Sequence, residues 1–99
     1  MEKTKAHILE LLTQHKRLTR GQLSSLAGVP DRKVRIAIAE LRDEGHMIGI
    51  TADAGYSIGN KTDFARAIAI YKARASKEFE RVRNMERTLE NENQIMMSL

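Results

Sequence analysis

Residues 19–58 decide the fold of this 99-residue chain, and their sequence is TRGQLSSLAGVPDRKVRIAIAELRDEGHMIGITADAGYSI. Thr19 and Gln22 have the spacing of a capping box, in which each side chain bonds the backbone N–H of the other residue, so a short helix is predicted to begin here. Gly28 is predicted to end this helix, because a sharp turn needs a residue with positive φ. The buried face of the helix is predicted to consist of Leu23, Leu26 and Ala27.

A further helix, residues 31–44, is predicted after the turn. Val29 is expected to pack inward, Pro30 suits the first position of a helix, and Asp31 complements the positive end of the helix dipole. Gly45 is expected to stop the helix. Four apolar residues at the spacing i, i+3, i+4, i+7 form its predicted buried face, namely Val34, Ala37, Ile38 and Leu41.

A tight β-hairpin is predicted after Gly45. Residues 47–50 and 56–58 are short β-type runs. Ile48 and Ile50 alternate with Gly49, and Tyr56 and Ile58 alternate with Ser57, which is the period-2 pattern of half-buried strands. Residues 51–55, TADAG, lie between the two strands, and Gly55 gives the turn its conformational freedom.

The outward face of the helix 31–44 carries the functional prediction. Arg32, Arg35, Ile36 and Ala39 lie opposite the buried face, with Lys33 at its flank. Two helices joined by a Gly-containing turn and followed by a hairpin are typical of helix-turn-helix proteins, whose second helix enters the DNA major groove. Arginine can bond O6 and N7 of guanine, and an apolar side chain can contact a thymine methyl. We therefore expect base contacts from Arg32, Lys33, Arg35 and Ile36; a solvated basic face is the alternative.

The segment LAGVPDRKVRIAIAELRDEGHMIGITADAGYSI resembles the winged-helix domain at the N-terminus of biotin repressor–ligase proteins. The shared features are a Leu-Arg-x-x-Gly run and a hairpin that closes on Gly-Tyr and an aliphatic residue, represented here by Leu41, Arg42, Gly45, Gly55, Tyr56 and Ile58. Small winged-helix proteins of phages and prophages share this pattern. The resemblance covers about residues 4–60 and implies a DNA-binding fold with the third helix in the major groove. It implies no biotin chemistry, because the ligase catalytic domain is absent from these residues.

Residues expected to contact DNA phosphates flank the helix 31–44; they are Arg17, Thr19, Arg20 and Lys61. The hairpin tip departs from the usual pattern, because wings that grip DNA present Arg or Lys, whereas this tip holds Asp53 and no basic residue. A carboxylate is repelled by phosphate and releases no counterion on binding. The tip is therefore expected to be structural or to face a protein.

The chain is predicted to consist of a winged helix-turn-helix domain over residues 1–60 and a long helix over residues 61–99. Ile8, Leu11 and Leu12 have helical spacing and predict an amphipathic helix over Glu2–His15. No Gly or Pro occurs after Asn60, so one long helix is predicted there. The fold class is thus mainly α, with a small β-hairpin and a long C-terminal helix.

Apolar residues of the long helix recur at alternating steps of four and three. A helix over about 62–92 would span roughly 45 Å, more than a domain of this size can cover. We expect Phe64, Ile68 and Tyr71 to pack on the domain and the remainder to pair with a second copy of the chain. The predicted dimerisation residues are Ile68, Tyr71, Ala75, Val82, Met85 and Leu89.

Two features weaken this prediction of a dimer. Glu78 and Glu92 occupy positions in the apolar repeat, and the helix could instead fold back on its own domain or fray beyond about Asn84. Residues 91–99 are expected to form a frayed end.

The amino-acid composition limits the classes of protein to which this chain can belong. Hydrophobic residues make up 41% and charged residues 30%, with a formal net charge of +4, which suits a compact and mildly basic domain. The absence of cysteine excludes disulfides and thiolate metal sites and fits a cytoplasmic protein. The first residues show neither a signal peptide nor a membrane span.

No pattern in the sequence predicts an enzyme, a metal site or a cofactor. His7, His15 and His46 are far apart and lack nearby residues at ligand or catalytic spacing, and the glycines form no phosphate-binding loop. Two functions remain. One is a sequence-specific double-stranded DNA-binding protein, a small dimeric phage-type or prophage-type transcriptional regulator. The other is a winged-helix module that binds a replication, repressor or defence protein through Ile36, Ala39 and the acidic tip.

Overall fold

The computed structural model describes the backbone of residues 2–98 and the side chains of residues 2–94. The elements in chain order are α1 (Glu2–His15), β1 (Arg17–Leu18), α2 (Arg20–Ala27), α3 (Asp31–Asp43), β2 (Ile48–Ile50), β3 (Tyr56–Ile58) and α4 (Lys61–Ser98). The predicted class is confirmed, since the chain is mainly helical with a small antiparallel sheet and a long C-terminal helix. The chain divides into two compact units, residues 1–68 and residues 69–99. No described helix meets the length and apolarity that a bilayer span requires.

The turn between α2 and α3 forms as the sequence predicts. Thr19 accepts a hydrogen bond from the backbone N–H of Gln22 at 3.1 Å, and the Gln22 side chain accepts from the Thr19 N–H at 2.9 Å. Gly28 has a φ of 68°, the left-handed conformation that costs glycine little. The Ser24 hydroxyl donates to the carbonyl of Val29 and so fixes the exit from α2. Helix α3 then begins at Asp31 and ends at Asp43, within one residue of the predicted bounds.

The core of the first unit is assembled from all three short helices and the sheet. Its fully buried large side chains are Ile8, Leu12, Leu23, Val34, Ile38 and Ile48. The predicted inward faces of α1 and α3 are therefore confirmed. Leu26 is a correction, because its side chain is 49% exposed although its spacing matches Leu23. Helix α2 has only eight residues, so one residue, Leu23, reaches the core from it and Ala27 only partly.

The sheet contains a strand that periodicity could not predict. Strand order is β1-β3-β2, with antiparallel pairing throughout, so the hairpin β2–β3 gains β1 along its second strand. Lys16 has a φ of 68° and lets the chain leave α1 and enter β1 at once. Arg17 pairs with Ser57, and Leu18 pairs with Tyr56. The segment immediately before α2 is thus hydrogen-bonded to the hairpin.

The first turn of α4 packs against the hairpin. Asn60 accepts a hydrogen bond from the N–H of Asp63, the Asp63 carboxylate accepts from the Ser57 hydroxyl at 2.7 Å, and Arg66 donates to the carbonyl of Ile50 at 2.7 Å. Phe64 is partly buried, as expected, whereas Ala67 rather than Ile68 is the buried residue of the next turn.

Helix α4 includes residues 91–98, the end predicted to fray; fraying there stays a prediction, and Leu99 lies outside the described residues.

Candidate nucleic-acid interface

Helix α3 presents its predicted contact residues to solvent. Arg32, Lys33, Arg35 and Ile36 are all exposed, and Ala39 is partly exposed. Arg32, Arg35, Ile36 and Ala39 lie opposite the buried side of the helix, and Lys33 lies at the flank, as a period of 3.6 residues requires. Ile36 is 41% exposed, an unusual position for a large aliphatic side chain. The four predicted base-contact residues therefore share one accessible surface, which we call the α3 face.

Asp31 joins two of the candidate arginines. Its carboxylate accepts from Arg20 through both oxygens, at 2.6 Å from Nη2 and 3.2 Å from Nε, and lies 3.1 Å from Nε of Arg35. The hydrogen bonds from Arg20 hold the pKa of the Asp31 carboxyl below its usual value, and the carboxylate raises the pKa of Arg20. All three side chains are partly exposed. Asp31 thus neutralises part of the charge that the sequence assigns to DNA contact.

The pairing with Arg35 could have been expected from the i, i+4 spacing of the two residues. The pairing with Arg20 could not, because it depends on how the turn brings the start of α2 beside the start of α3. From the sequence, Asp31 is predicted only to complement the helix dipole and not to form an ion pair with Arg20.

Arg32 and Lys33 keep their charges available. Neither has an ion pair or hydrogen bond with another side chain in the described part of the molecule. Both are exposed in the first turn of α3, next to Asp31. On the α3 face, these two cations can therefore meet an anionic ligand without first leaving a carboxylate.

The four predicted phosphate contacts are all exposed: Arg17, Thr19, Arg20 and Lys61. Three of them already have partners, since Thr19 caps α2, Arg20 binds Asp31, and Arg17 lies 4.0 Å from Asp53. Lys61 has no ion pair among the described residues. Arg17, Thr19 and Arg20 follow closely in the chain at the junction of β1 and α2, whereas Lys61 begins α4.

The hairpin tip is ordered by its own hydrogen bonds. Thr51 is buried, its hydroxyl donates to the Asp53 carboxylate, and the same oxygen accepts from the N–H of Gly55 at 2.8 Å. The bond from Thr51 holds the pKa of the Asp53 carboxyl below its usual value, so this carboxylate is ionised at neutral pH. The tip therefore presents a fixed negative charge beside Arg17.

The second unit exposes an apolar stripe that the sequence largely predicted. Tyr71, Val82, Met85 and Leu89 are between 45% and 65% exposed, and Ala75 is exposed on the same helix. Phe79 is 66% exposed and was missed, because it lies one residue outside the four-and-three repeat. Ile68, the remaining predicted dimerisation residue, is 43% exposed in the first unit.

Among the described residues there is no group of three or more His, Asp or Glu side chains that could hold a metal ion.

No family model, curated protein or solved structure matches this chain.

Proposed function

We propose that this chain is a winged helix-turn-helix protein that binds double-stranded DNA at a specific sequence, with α3 in the major groove. The observation that carries the proposal is the α3 face. It gathers Arg32, Lys33, Arg35 and Ile36 on the accessible side of a helix whose other side is packed in the core. A helix held in this way can enter a groove about 12 Å wide as a rigid element. The α2–α3 turn and the following hairpin are the flanking parts that such a domain requires.

The side chains on the α3 face differ in the base edges that they suit. Arg32 and Arg35 can each bond O6 and N7 of a guanine, and Lys33 can donate to the same acceptors. Ile36 can contact a thymine methyl, which would give its exposed aliphatic surface an apolar partner. All four lie in the N-terminal half of α3, the part of a recognition helix that meets the bases.

Phosphate contacts are assigned to the residues that flank this helix. Arg17, Thr19, Arg20 and Lys61 would fix the position of the domain on the duplex without selecting a sequence. The hairpin tip is not assigned a DNA contact, because Asp53 is ionised and phosphate would repel it.

We propose a second copy of the chain as the partner that covers the exposed apolar stripe of the second unit. A homodimer would bring two α3 helices to one site and would favour a two-fold-related DNA sequence. This arrangement is that of a small cytoplasmic transcriptional regulator of phage or prophage type.

Selection from a pool of random duplexes tests the proposal. We expect enrichment of a two-fold-related site by the full-length protein, with affinity that falls as salt is raised. The variant Arg32→Ala/Lys33→Ala should lose this enrichment, whereas the matched double variant Lys77→Ala/Arg83→Ala, on exposed positions of α4, should keep it. Absence of salt-dependent binding to any duplex would overturn the proposal.

A second candidate is a winged-helix module that binds a protein. Two observations favour it: the exposed aliphatic side chain of Ile36, and an ordered acidic hairpin tip. The two candidates give opposite results in the duplex selection, because a protein-binding module would enrich no sequence.

A further inference from the structure

The apolar stripe of the second unit has a defined layout on α4. Tyr71, Ala75, Glu78, Val82, Met85 and Leu89 follow steps of four and three and form one line along the helix, which we call the seam. Lys72, Phe79 and Glu86 border the seam on one side, and Arg74, Arg81 and Thr88 border it on the other. All of these side chains are exposed in the single chain. The inference that follows rests on the proposed dimer and concerns the direction in which two such seams meet.

Charge is distributed unevenly along this segment. Residues 69–83 hold five basic and two acidic side chains, whereas residues 84–98 hold one basic and three acidic side chains. Two copies that run in the same direction would therefore place the basic half beside the basic half. Two copies that run in opposite directions would place each basic half beside an acidic half.

We propose that the seam binds the same seam of a second copy in the antiparallel direction. The seam residues form two alternating sets, one with Tyr71, Glu78 and Met85 and the other with Ala75, Val82 and Leu89. In an antiparallel pair a residue of one set faces a residue of the other set, so Tyr71 faces Leu89 of the second copy and Ala75 faces its Met85. Each of these facing pairs joins a larger and a smaller side chain. Glu78 faces Val82 of the second copy, so two glutamates never oppose each other across the seam.

The residues beside the seam agree with this alignment. Lys72 comes beside Glu86 of the second copy, and symmetry gives this pair twice. The two Phe79 rings come together on the same side, which explains why this exposed aromatic residue lies next to the repeat. Arg81 and Glu78 form an ion pair at 2.8 Å within each helix. At the centre of the dimer Arg81 comes beside Arg81 of the second copy, and the Glu78 carboxylate bonded to each of them brings the net charge of this group to zero.

Other alignments lose these contacts. A parallel dimer gains two exposed pairs between Arg81 and Glu86, as many as the antiparallel dimer gains between Lys72 and Glu86, but it stacks Glu78 on Glu78 in the seam. An antiparallel shift of one heptad toward the C-terminus places Glu92 against Ala75. A shift in the other direction places Arg74 beside Arg81 of the second copy.

Cross-linking of single-cysteine variants tests the direction and the register, because the native chain has no cysteine. Full-length Ala75→Cys and Met85→Cys change exposed positions outside the core and are mixed under mild oxidation. We expect a disulfide that joins one chain of each variant, identified by mass, and no disulfide within either variant alone. A Lys77→Cys control, on the opposite side of α4, should remain uncross-linked.

Two results would overturn the proposal. A disulfide between two Ala75→Cys chains would show that the helices run parallel. No cross-link in any mixture, together with a monomer by light scattering at high micromolar concentration, would show that no second copy binds the seam. A monomer that binds DNA would still enrich a half-site in the selection experiment, so the failure of this proposal can be told apart from the failure of DNA binding.

A charge exchange provides an independent test. Lys72→Glu should weaken dimerisation by about 3- to 10-fold, because it places two carboxylates side by side at both ends of the dimer. Adding Glu86→Lys should restore the original dissociation constant, since the pair is reversed. The matched control Lys77→Glu carries the same change of charge away from the seam and should have a smaller effect. Failure of the double variant to recover would contradict the antiparallel pairing.

Discussion

Asp31 determines how much positive charge the α3 face offers to a ligand. Its carboxylate binds Arg20 through two hydrogen bonds and also contacts Arg35. In the proposed DNA complex, each of these arginines would exchange a carboxylate oxygen for an acceptor on a phosphate or a base. Each of these contacts would therefore add less to the free energy of DNA binding than a contact from an arginine without a carboxylate partner. Arg32 and Lys33 would account for more of the long-range electrostatic attraction to DNA.

Replacing Asp31 with asparagine should increase the affinity for DNA of any sequence. Removal of the negative charge frees Arg20 and Arg35, so we expect the slope of log affinity against log salt to become steeper by about one. Titration of a random-sequence duplex at several salt concentrations measures this slope. Asp43→Asn is the matched control, because it removes the same charge from the far end of α3. Equal effects of the two substitutions would contradict a particular role of Asp31.

Arg35→Ala should weaken binding to the selected site by about 1–3 kcal/mol, with little effect on random duplexes, since a bidentate contact to guanine is specific to the base. Arg20→Ala should instead weaken binding to all sequences alike, as expected of a phosphate contact. Competition assays with the selected and a scrambled duplex measure both values. Equal losses on the two duplexes for Arg35→Ala would show that Arg35 contacts only the backbone of DNA.

At the scale of elements, the start of α4 is fixed to the hairpin by Asp63. The carboxylate accepts from the Ser57 hydroxyl and from Arg66, and the Ser57 bond is the main reason why the pKa of Asp63 lies below its usual value. A carboxyl whose folded-state pKa is lowered adds stability above the unfolded-state pKa of about 4, and this stability is lost as pH falls through the folded-state pKa.

We therefore expect the unfolding free energy of the native chain to fall as the pH is lowered below the unfolded-state pKa of about 4. In Asp63→Asn the loss should be smaller, so the difference between the two proteins should shrink as the pH is lowered. Chemical denaturation at a series of pH values measures the difference. Asp43→Asn serves as the control, and a constant difference between native protein and Asp63→Asn across this range would contradict the assignment.

Gly49 allows β2 to approach the first turn of α4. A Cβ atom at this position would lie 2.4 Å from the backbone carbon of Asp63 and 2.6 Å from the backbone nitrogen of Phe64. Since backbone atoms cannot move aside cheaply, Gly49→Ala should lower the unfolding free energy by about 1–3 kcal/mol.

Gly21→Ala is the matched control, because Gly21 lies on an exposed part of α2 and a Cβ there meets nothing within 4 Å. This substitution should raise stability by about 0.5–1 kcal/mol through the lower helix propensity of glycine. Thermal unfolding of both variants measures the two effects. A Gly49→Ala protein as stable as the native chain would show that the approach of β2 to α4 is not required.

Periodicity predicted the helices and the hairpin because their buried faces repeat every 3.6 or two residues. Val34, Ile38 and Ile48 are therefore found where the pattern places them. Strand β1 could not be predicted, since two residues have no period, and it exists only because β3 offers a free edge. The exposure of Leu26 depends in the same way on which neighbours reach α2.

The sequence predicted which residues of the candidate site are exposed, but it did not predict which of their charges are paired. The outward positions on α3 follow from helix geometry alone, so the exposure of Arg32 and Arg35 could be foreseen. The neutralisation of Arg20 by Asp31 could not, because the two residues lie in different helices and meet only after the turn is formed.

At the scale of the whole molecule, the two proposed contacts, with DNA and with a second copy, are assigned to different units. Within the described part of the chain, every buried core residue lies at or before Ala67, so none of them belongs to the seam. A chain that ends after Asn84 loses Met85, Glu86 and Leu89, and with them every contact of the proposed dimer except those of Glu78 with Val82 and of Phe79 with Phe79. We expect this chain to be a monomer by light scattering at high micromolar concentration.

The shortened chain should retain the denaturation midpoint of the first unit. Its affinity for a two-fold-related site should fall by at least about tenfold, because two linked domains bind with a high effective concentration and separate domains do not. Its affinity for a half-site should be unchanged. A shortened chain that still dimerises would show that the second unit is not the dimerisation segment.

The ion pairs of Asp31 also bear on how fast the protein would find its site. A DNA-binding protein reaches its target by sliding and hopping over a large excess of unrelated sequence. Because Arg20 and Arg35 form ion pairs with a carboxylate of the same chain, binding to each unrelated stretch of DNA would be brief, and the two arginines would return to Asp31 on release. Asp31 would therefore shorten each visit to the wrong sequence and speed the search.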